Sequence, residues 1–472
     1  MLRQLLVILV FLSYTQSAFA LSHLSSEDRK IIDLIVEGEH VVSMEDTKEI
    51  LREGAVAVDK GVIIALGKAD DLKERYRAKI VLGGKNRIVM PGLINGHSHA
   101  AMTLFRGIAD DHSLFEWLNR YIFPAEVEYV NREFVQVGTE LACWEMIRGG
   151  TTTFVDMYYF PDVIAEVVES CGLRALISAT VIDQPSPDAR NAKDSLKKGK
   201  SFVTKWKDRN SRIIPILGPH SNYTLDLKQL IDTRRLANQL GIGLSIHLAE
   251  SKYENQYARD NYKNTSVNIF ESIGFFEGRT IAAHVVWPSD EEIEILAKRA
   301  VGVIYNPTSN MKTAAGIAPI SKMIEAGIKV GLGTDGAASN NDLDMWEEMR
   351  LATLLQKINK MDPEALPASK VISMATREGS EAIGISSIVG TLEVGKRADL
   401  IQVSTEDVHH IPTYDVISHL VYVTDEQDVE SVIVDGKILM KDKNILTINT
   451  EKVRKRASEI ASSINQSLKG RR

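Results

Sequence analysis

PGLINGHSHAAMTLFRG, residues 91–107, contains the end of a predicted β-strand and, directly after it, the segment His97-Ser98-His99. Side chains two residues apart in an extended segment lie on the same face, so both imidazoles can bind one ion. A His-x-His pair alone is weak evidence for a metal site, because hydrogen-bonded histidines give the same pattern. Its meaning depends on what the rest of the chain places beside it.

The strand in this stretch is the first of a series. Seven more β-rich runs follow it, separated by longer segments with helical spacing. The eight predicted strands end within RIVMPGLIN, TTTFVDM, RALISATV, IIPILGPH, GLSIHLAE, TIAAHVVW, GVIYNPTSN and KVGLGTDG. Such alternation indicates parallel strands. We predict an α/β fold, a (β/α)8 TIM barrel over residues 89–385, whose chemistry lies at the carboxyl ends of the strands.

The residue pattern at both ends of the chain differs from that of the middle. Over residues 21–88, short apolar runs alternate with turn residues, as in GAVAVDKGVIIALG, and the same pattern returns over residues 386–450 in GTLEVGKRADLIQV and VESVIVDGKILM. We expect the two segments to pair into one small β-sandwich domain flanking the barrel. The basic tail, residues 451–472, is predicted to form a solvated helix.

The first residues have the features of a signal peptide. Arg3 precedes the apolar run LLVILVFL, and Ala18-Phe19-Ala20 forms a small-x-small cleavage pattern. A membrane anchor or a buried first strand is the alternative, but the run is shorter than the roughly 20 residues that span a bilayer. We therefore expect residues 1–20 to be removed on export. The mature protein is then periplasmic or secreted, with no stable membrane anchor.

Composition limits the classes of function. The 472 residues are 44% hydrophobic and 25% charged, as in a soluble protein with a large core. The formal net charge is -7 without a Lys/Arg-rich stripe, which argues against a nucleic-acid partner and favours small molecules. Cys143 and Cys171 form no C-x-x-C pair and are expected in the core, so metal ligands must come from His and carboxylates.

Two further residues complete a candidate donor set at the barrel rim. His247 follows the fifth predicted strand and Asp335 the eighth, so both should meet His97 and His99 there. Taken singly, His247 can be a core histidine and Asp335 a helix cap. Together, three imidazoles and one carboxylate suit zinc with a position left open for water. A divalent ion in such a site lowers the pKa of water towards neutrality.

Candidate groups for proton transfer lie beside these ligands. Glu250 stands three residues beyond His247 and is assigned proton exchange with the water or the substrate, although a helix-start carboxylate is equally natural there. His284 follows the sixth strand and can hydrogen-bond the attacking or the developing oxygen. Asp335 can also accept the proton of the water.

The chain resembles a known family, the amidohydrolase superfamily, and within it the 5-methylthioadenosine/S-adenosylhomocysteine deaminases. The resemblance covers nearly the whole mature chain and rests on the blocks PGLINGHSHAAMTLFRGIADD, EMIRGGTTTFVDMYYF, GPHSNYT, SIHLAES, IAAHVVW, NPTSNMKTAAGIAPI, GLGTDGAASNNDLDMWEEMRLATLLQK and GKRADLI. It implies a barrel with a flanking β domain and one zinc-like ion on His97, His99, His247 and Asp335. Binuclear relatives supply a bridging Lys or Glu from the fourth strand. That strand ends here in Pro219-His220, so one ion, Zn²⁺, is expected.

The resemblance also implies substrate contacts. Glu126 would bind the ribose hydroxyls, and Trp117 and His220 would line a nucleoside pocket. A carboxylate accepts two hydroxyl hydrogens and an indole offers a flat apolar face. From the residues alone, a core aromatic for Trp117 and a solvated helix face for Glu126 would be preferred.

Departures from the family narrow the substrate. Two arginines of relatives bind the amino-acid tail of S-adenosylhomocysteine; Arg190 matches one, while the other aligns near Ala179 and is missing. Losing that charge-assisted contact favours substrates without the tail, such as methylthioadenosine or adenosine. Tyr305 replaces a frequent His and Val285 a frequent Cys, and neither is a predicted ligand.

The leading hypothesis is hydrolytic deamination of a 6-aminopurine nucleoside. Activated water attacks the amino-bearing carbon, and Glu250 protonates the ring nitrogen. Ammonia then departs, and an inosine-type nucleoside is the product. A second hypothesis keeps the site but changes the ring, as in guanine, cytosine or s-triazine hydrolases, because fold alone does not fix the substrate. A third is a metal-free scaffold that has lost catalysis. A homo-oligomer is implied only by the resemblance.

Overall fold

The structure, a computed structural model, describes residues 29–45 and 49–469, and the predicted signal peptide over residues 1–20 lies outside them. Within these described ranges, no helix is long and apolar enough to cross a membrane.

The centre of the chain forms a nearly closed barrel of eight parallel strands, each paired with the next in sequence order. These strands are β6 Leu93–Ser98, β7 Thr151–Tyr158, β8 Arg174–Val181, β9 Ile213–Pro219, β10 Leu244–Leu248, β11 Thr280–His284, β12 Gly302–Tyr305 and β13 Val330–Leu332. The residues after β13 return to β6, where the Asp335 amide donates to the His97 carbonyl at 3.0 Å. The predicted TIM barrel is confirmed.

The barrel strands are almost entirely buried. Every residue of β6, β7, β10, β11, β12 and β13 is buried. Parallel strands covered on both faces read as continuous apolar runs rather than as alternating ones. This is why their positions were visible in the sequence.

Helices follow the strands, and several begin at capping residues that the sequence supplies. Asp226 and Ser289 each accept a hydrogen bond from the backbone three residues on and form capping boxes. The α-helices are Ala69–Arg75, Leu114–Glu116, Phe123–Tyr129, Arg132–Arg148, Pro161–Cys171, Ala192–Trp206, Leu227–Leu240, Lys252–Tyr262, Ser266–Ser272, Asp290–Lys298, Pro307–Lys312, Ile320–Glu325, Met345–Lys360, Ala368–Met374, Arg377–Ile383, Val416–Tyr422 and Thr450–Lys469. Shorter turns are the 3-10 segments Ala100–Phe105, Val408–His410 and Glu426–Asp428 and the π-helical segment Trp117–Ile122.

A separate nine-stranded sheet is built from both ends of the chain, as predicted for the flanking β domain. Its strands are β1 Lys30–Val42, β2 Ile50–Asp59, β3 Val62–Lys68, β4 Tyr76–Leu82, β5 Arg87–Pro91, β14 Leu400–Ser404, β15 Val429–Val434, β16 Lys437–Lys441 and β17 Asn444–Ile445. The two ends meet where β5 pairs antiparallel with β14, with Met90 opposite Ile401. They also share one apolar cluster, to which Val56 and Ile433 both contribute.

The stretch RIVMPGLIN contains parts of two strands. RIVMP forms β5 in the flanking sheet, and the barrel begins after Gly92 with β6. At the other end, the helix Thr450–Lys469 buries Val453 and Ile464, and its Arg454 lies over the ring of Trp144, 5.3 Å from the centroid. The tail helix therefore packs along one side against the barrel helix Arg132–Arg148.

A buried ion pair joins the barrel to the flanking sheet. Arg174, the first residue of β8, donates from Nε to Oδ2 of Asp399 at 2.7 Å and from Nη2 to Oδ1 at 3.0 Å. Both side chains are fully buried. Removing one member of such a pair leaves an uncompensated buried charge, which costs more free energy than the pair contributes.

We expect Asp399→Ala to lower the free energy of unfolding by about 3–5 kcal/mol, because the buried Arg174 guanidinium loses both short hydrogen bonds to a carboxylate and keeps only the longer carboxylate contact, with Asp435 at 3.7 Å. Urea denaturation measures the loss. The matched control is Lys79→Ala, which removes an exposed pair with Asp33 and should change stability far less. Equal losses in the two variants would contradict a special role for the buried pair.

Candidate active site

The predicted ligands converge at the carboxyl ends of the barrel strands. His97 lies in β6 with His99 just after it, His247 lies in β10, and Asp335 follows β13. Asp335 has a left-handed backbone with φ of +64°, which is uncommon for a residue other than glycine. Strained backbone of this kind is concentrated at functional sites, and here it accompanies a carboxylate aimed at the three histidines.

The ligand atoms have the spacing of a metal site. Oδ1 of Asp335 lies 3.4 Å from Nε2 of His97 and 3.2 Å from Nε2 of His99. Nε2 of His99 lies 3.3 Å from Nε2 of His247. Ligands at about 2.0–2.1 Å from a tetrahedral zinc ion are themselves separated by about 3.3 Å.

His97 gives the strongest indication that a cation belongs here. Its imidazole is completely buried, and neither ring nitrogen has a hydrogen-bond partner among the described residues. A buried polar group without a partner is costly, so a coordinating ion explains what hydrogen bonding does not. The residues present therefore fit a divalent ion, with His97, His99, His247 and Asp335 to hold it.

Surrounding groups orient these ligands. Nδ1 of His99 lies 2.6 Å from the Met157 carbonyl, and Nδ1 of His247 lies 3.0 Å from the His220 carbonyl. A carbonyl only accepts, so each Nδ1 carries the proton and each Nε2 presents its lone pair to the ion. The Ser309 hydroxyl donates to Oδ2 of Asp335 at 2.6 Å.

The protonation states also suit metal binding. Burial lowers the pKa of His97 to about 4 and that of His247 well below its usual value. Burial raises the pKa of Asp335, but the imidazoles of His97 and His99 close to its carboxylate outweigh burial and hold that pKa well below its usual value. Burial lowers the pKa of His99 while the contact with Asp335 raises it, with a net value of about 9. An ion binding at neutral pH would therefore displace a proton from His99.

Glu250 and His284 lie beside the donor set. Nε2 of His284 is 3.7 Å from Oε1 of Glu250 and 4.0 Å from Oδ2 of Asp335. Nδ1 of His284 donates to Oδ1 of Asn310 at 2.9 Å, which leaves Nε2 to face the site. Burial raises the pKa of Glu250, which favours its protonated form. His284 also forms a triple with His97 and His247 whose ligand atoms lie within 4.8 Å of one another.

The fold and this donor set allow comparison with known proteins. Residues 88–439 match the Amidohydrolase family. The chain belongs to the amidohydrolase family. The predicted class of enzyme, a metal-dependent hydrolase acting on C–N bonds, is thereby confirmed.

Named relatives of this amidohydrolase act on adenosine-type compounds. This chain is 43% identical over 438 residues to a 5'-deoxyadenosine deaminase of Methanosarcina mazei, and the match covers 92% of this chain and 99% of the relative. It is 38% identical over 439 residues to 5-methylthioadenosine/S-adenosylhomocysteine deaminase 1 of Syntrophus aciditrophicus, covering 93% and 99%. An adenosine deaminase structure from Xanthomonas campestris with bound zinc matches with a TM-score of 0.91 and 34% identity, covering 93% and 100%. The predicted resemblance is confirmed.

The amidohydrolase has a cavity beside the donor set that brings together most of the predicted substrate contacts. Its lining includes Trp117, Glu126 and His220, together with Glu250, His284 and Asp335. Trp117 lies in the π-helical segment and faces the cavity instead of packing wholly into the core. His220 follows β9, with its ring centroid 4.7 Å from that of His247.

Glu126 is a buried carboxylate on the cavity wall. It lies in the helix Phe123–Tyr129, and the hydroxyl of Tyr159 donates to its Oε2 at 3.1 Å. Burial raises the pKa of Glu126 to about 7, although bonds from Tyr158 and Tyr159 lower it in part. A solvated helix face, the interpretation favoured by the residues alone, does not describe this position.

Arg190 is not brought to the cavity. Its side chain is 88% exposed and lies 3.4 Å from Asp194, so its predicted role in binding substrate stays a prediction without support from this geometry. Ala179 is buried in β8. Tyr305 and Val285 are buried and outside the groups of ligand atoms found among the described residues.

Several supporting residues were not identified from the sequence. Glu254 accepts hydrogen bonds from the amides of Ala249 and Glu250, both at 2.9 Å, and so fixes the backbone that carries Glu250. Asn310 orients His284. Both stand inside quoted family blocks or next to them, but a block match gives no role to a residue that acts through another.

We expect Asp335→Asn to lower bound divalent metal by one equivalent per chain, because the only anionic donor of the set becomes neutral. Elemental analysis of zinc-equilibrated, untagged protein measures this. The control is Asp111→Asn, a change at an exposed carboxylate outside the donor set, which should leave the metal content unchanged. Full retention of metal by Asp335→Asn would remove Asp335 from the set.

Proposed function

We propose that this amidohydrolase is a zinc-dependent deaminase of 6-aminopurine nucleosides. The observation that carries the proposal is one cavity lined by two chemically different groups of residues, members of the metal donor set with Glu250 and the buried Glu126 with Trp117. The first group suits attack by water, and the second suits a sugar with neighbouring hydroxyls. The relatives' names support the same class of substrate.

The overall reaction exchanges an amino group for oxygen. A divalent ion held by His97, His99, His247 and Asp335 would lower the pKa of a bound water towards 7. Asp335 accepts a proton from the attacking water, whose oxygen bonds to the amino-bearing ring carbon. Glu250, whose pKa is raised by burial, donates a proton to the adjacent ring nitrogen. His284 hydrogen-bonds the developing oxygen. The carbon–nitrogen bond then breaks with its electron pair going to nitrogen, and the proton taken from water passes from Asp335 to the leaving amine. The proton of the added hydroxyl returns to Glu250, so the products are ammonia and an inosine-type nucleoside and both carboxyl groups regain their starting state.

Substrates without an amino-acid tail fit the cavity best. The lining on the side of Trp117 is apolar, with Leu114, Leu118 and Phe123. Arg190 is exposed and Ala179 offers no charge, so a tail carboxylate lacks the two guanidinium contacts expected for its binding. We therefore favour 5'-methylthioadenosine, 5'-deoxyadenosine and adenosine over S-adenosylhomocysteine.

A substrate panel on zinc-loaded mature protein tests the proposal. We expect deamination of the three tail-free nucleosides, with kcat/KM about tenfold or more above that for S-adenosylhomocysteine, since one missing charge-assisted contact is worth at least about 1.4 kcal/mol. Loss of adenine absorbance together with ammonia release is the measurement. Glu250→Gln should keep its metal and lose turnover by about 10²–10⁴-fold. No turnover of any nucleoside by metal-loaded protein would refute the proposed function.

Glu126 distinguishes a nucleoside enzyme from the alternative hydrolases of free bases or s-triazines. Its carboxylate form prevails above pH 7 and its neutral form below, because burial raises its pKa to about 7. Two hydroxyls can donate to the carboxylate, whereas the protonated acid keeps fewer acceptor sites. Binding of the sugar should therefore weaken as the pH falls through about 7.

We expect kcat/KM for adenosine in wild type to exceed that of Glu126→Gln by roughly 10–100-fold above pH 7, the value of a hydrogen bond to a charged group. The ratio should shrink below pH 7, where wild-type Glu126 is also neutral. Parallel pH profiles measure it, and free adenine, cytosine and guanine serve as controls that lack the sugar. A ratio independent of pH, or an equal loss on bare bases, would contradict the role of Glu126.

We also propose that the protein is exported, on the support of Arg3, the apolar run and Ala18-Phe19-Ala20.

The hypothesis of a metal-free scaffold is disfavoured by His97, whose buried ring nitrogens are without protein partners in the described chain.

A further inference from the structure

A second cluster of histidines and a carboxylate lies outside the barrel rim, in the segment that connects β14 to β15. His409 and His410 lie in the 3-10 turn Val408–His410, and Asp428 ends the 3-10 turn Glu426–Asp428, directly before β15. None of the three lines the cavity of the candidate active site. We call them the 409/410/428 cluster.

The cluster has the spacing of the catalytic donor set. Nε2 of His409 lies 3.0 Å and Nε2 of His410 lies 3.2 Å from the same oxygen, Oδ2 of Asp428. The three ligand atoms all lie within 4.8 Å of one another. In the catalytic set, Nε2 of His99 is likewise 3.2 Å from Oδ1 of Asp335. Both sets match the separation of about 3.3 Å between ligands of a tetrahedral zinc ion.

His410 is the independent indication of a ligand. Its side chain is completely buried, and neither ring nitrogen makes a hydrogen bond within the described chain, the same condition as that of His97. A hydrogen-bonded pair between His409 and Asp428 accounts for His409 but leaves His410 unsatisfied. A cation bound between the two imidazoles and the carboxylate would give Nε2 of His410 a partner and balance the charge of Asp428.

The carboxylate is held in place. The amide of Asp425 donates to Oδ2 of Asp428 at 3.0 Å, as part of a capping box. Its orientation therefore does not depend on the histidines. The His409 side of the cluster is partly open, with 36% of the His409 side chain exposed, which gives an ion an entry path and room for water as a further ligand.

We propose that His409, His410 and Asp428 bind a second divalent ion, zinc by the chemistry of the donors. Two imidazole nitrogens and one carboxylate oxygen suit zinc, whereas magnesium and calcium prefer all-oxygen sites. The ion links the two ends of the segment that connects β14 to β15. It closes a loop from residue 410 to residue 428 that contains the helix Val416–Tyr422. The role is structural, since a metal crosslink restricts the unfolded chain and binds only the folded site.

Metal stoichiometry tests the proposal without relying on enzyme activity. Untagged protein is stripped with a chelator, equilibrated with buffered Zn²⁺, freed of unbound ion and analysed for zinc. We expect two equivalents per chain in wild type and one in His409→Ala or Asp428→Asn. Asp335→Asn should also retain one, and Asp335→Asn combined with His409→Ala should retain none. His40→Ala, at a partly exposed histidine outside both clusters, is the matched control and should keep two.

Further measurements separate metal loss from misfolding. His409 is partly exposed, so His409→Ala should keep the wild-type circular dichroism spectrum and the wild-type hydrolase activity. In the Asp335→Asn background, zinc should raise the melting temperature, and adding His409→Ala should abolish that rise. Wild type that saturates at one equivalent, or a folded His409→Ala protein that still binds two, would overturn the second site. Either result leaves the proposed deaminase function untouched, because that function depends on the first ion.

Discussion

The close approach of three imidazoles, two of them buried, and one carboxylate is the constraint on which the rest of the molecule depends. Ligand atoms 3.2–3.4 Å apart repel or go unsatisfied unless a cation lies between them, as the unpartnered nitrogens of His97 indicate. Holding them there requires backbone that cannot relax. The left-handed conformations at His284 and Asp335, with φ of +73° and +64°, are maintained because His284 ends the buried strand β11 and Asp335 follows the buried strand β13.

The flanking sheet contributes to that rigidity although it supplies no ligand. Only Gly92 separates β5 of the sheet from β6, the strand that carries His97. A Cβ at position 92 would lie 2.1 Å from the side chain of Thr152, so the chain can pass here only as glycine. The Gly92 amide donates to the Asp399 carbonyl, while the Asp399 carboxylate pairs with Arg174. One residue of the sheet thus positions the starts of two barrel strands.

The sequence predicted those features that depend on burial pattern and chain order. Strands buried on both faces appear as apolar runs, and the rule that barrel chemistry lies at strand ends placed His247 and Asp335 beside His97. It did not separate β5 from β6, because RIVMP and the run after Gly92 are equally apolar. Burial of Glu126 was equally invisible, since a carboxylate on a short helix ordinarily faces water and only tertiary packing places it on a cavity wall.

Residues that act by orienting another residue could not be identified from the sequence. Glu254 and Asn310 make their contacts through specific hydrogen bonds that no periodicity encodes. Arg190 was predicted from the family to bind substrate, but its side chain is exposed. Alignment with a family gives a position along the chain and not the direction of a side chain. The 409/410/428 cluster joins two short turns separated by a helix, and neither turn is at a barrel strand end.

The environments of the two central carboxyl groups assign their roles. Glu250 and Asp335 lie in one cavity, yet burial raises the pKa of Glu250 whereas the nearby imidazoles overcome burial and lower that of Asp335. Carboxyl groups with pKa values moved apart in this way divide acid from base. The two directions favour an ionised Asp335, able to bind a cation and to accept a proton, and a Glu250 that is the better proton donor to a ring nitrogen. His284 lies between them, and its bond to Asn310 fixes which nitrogen faces both.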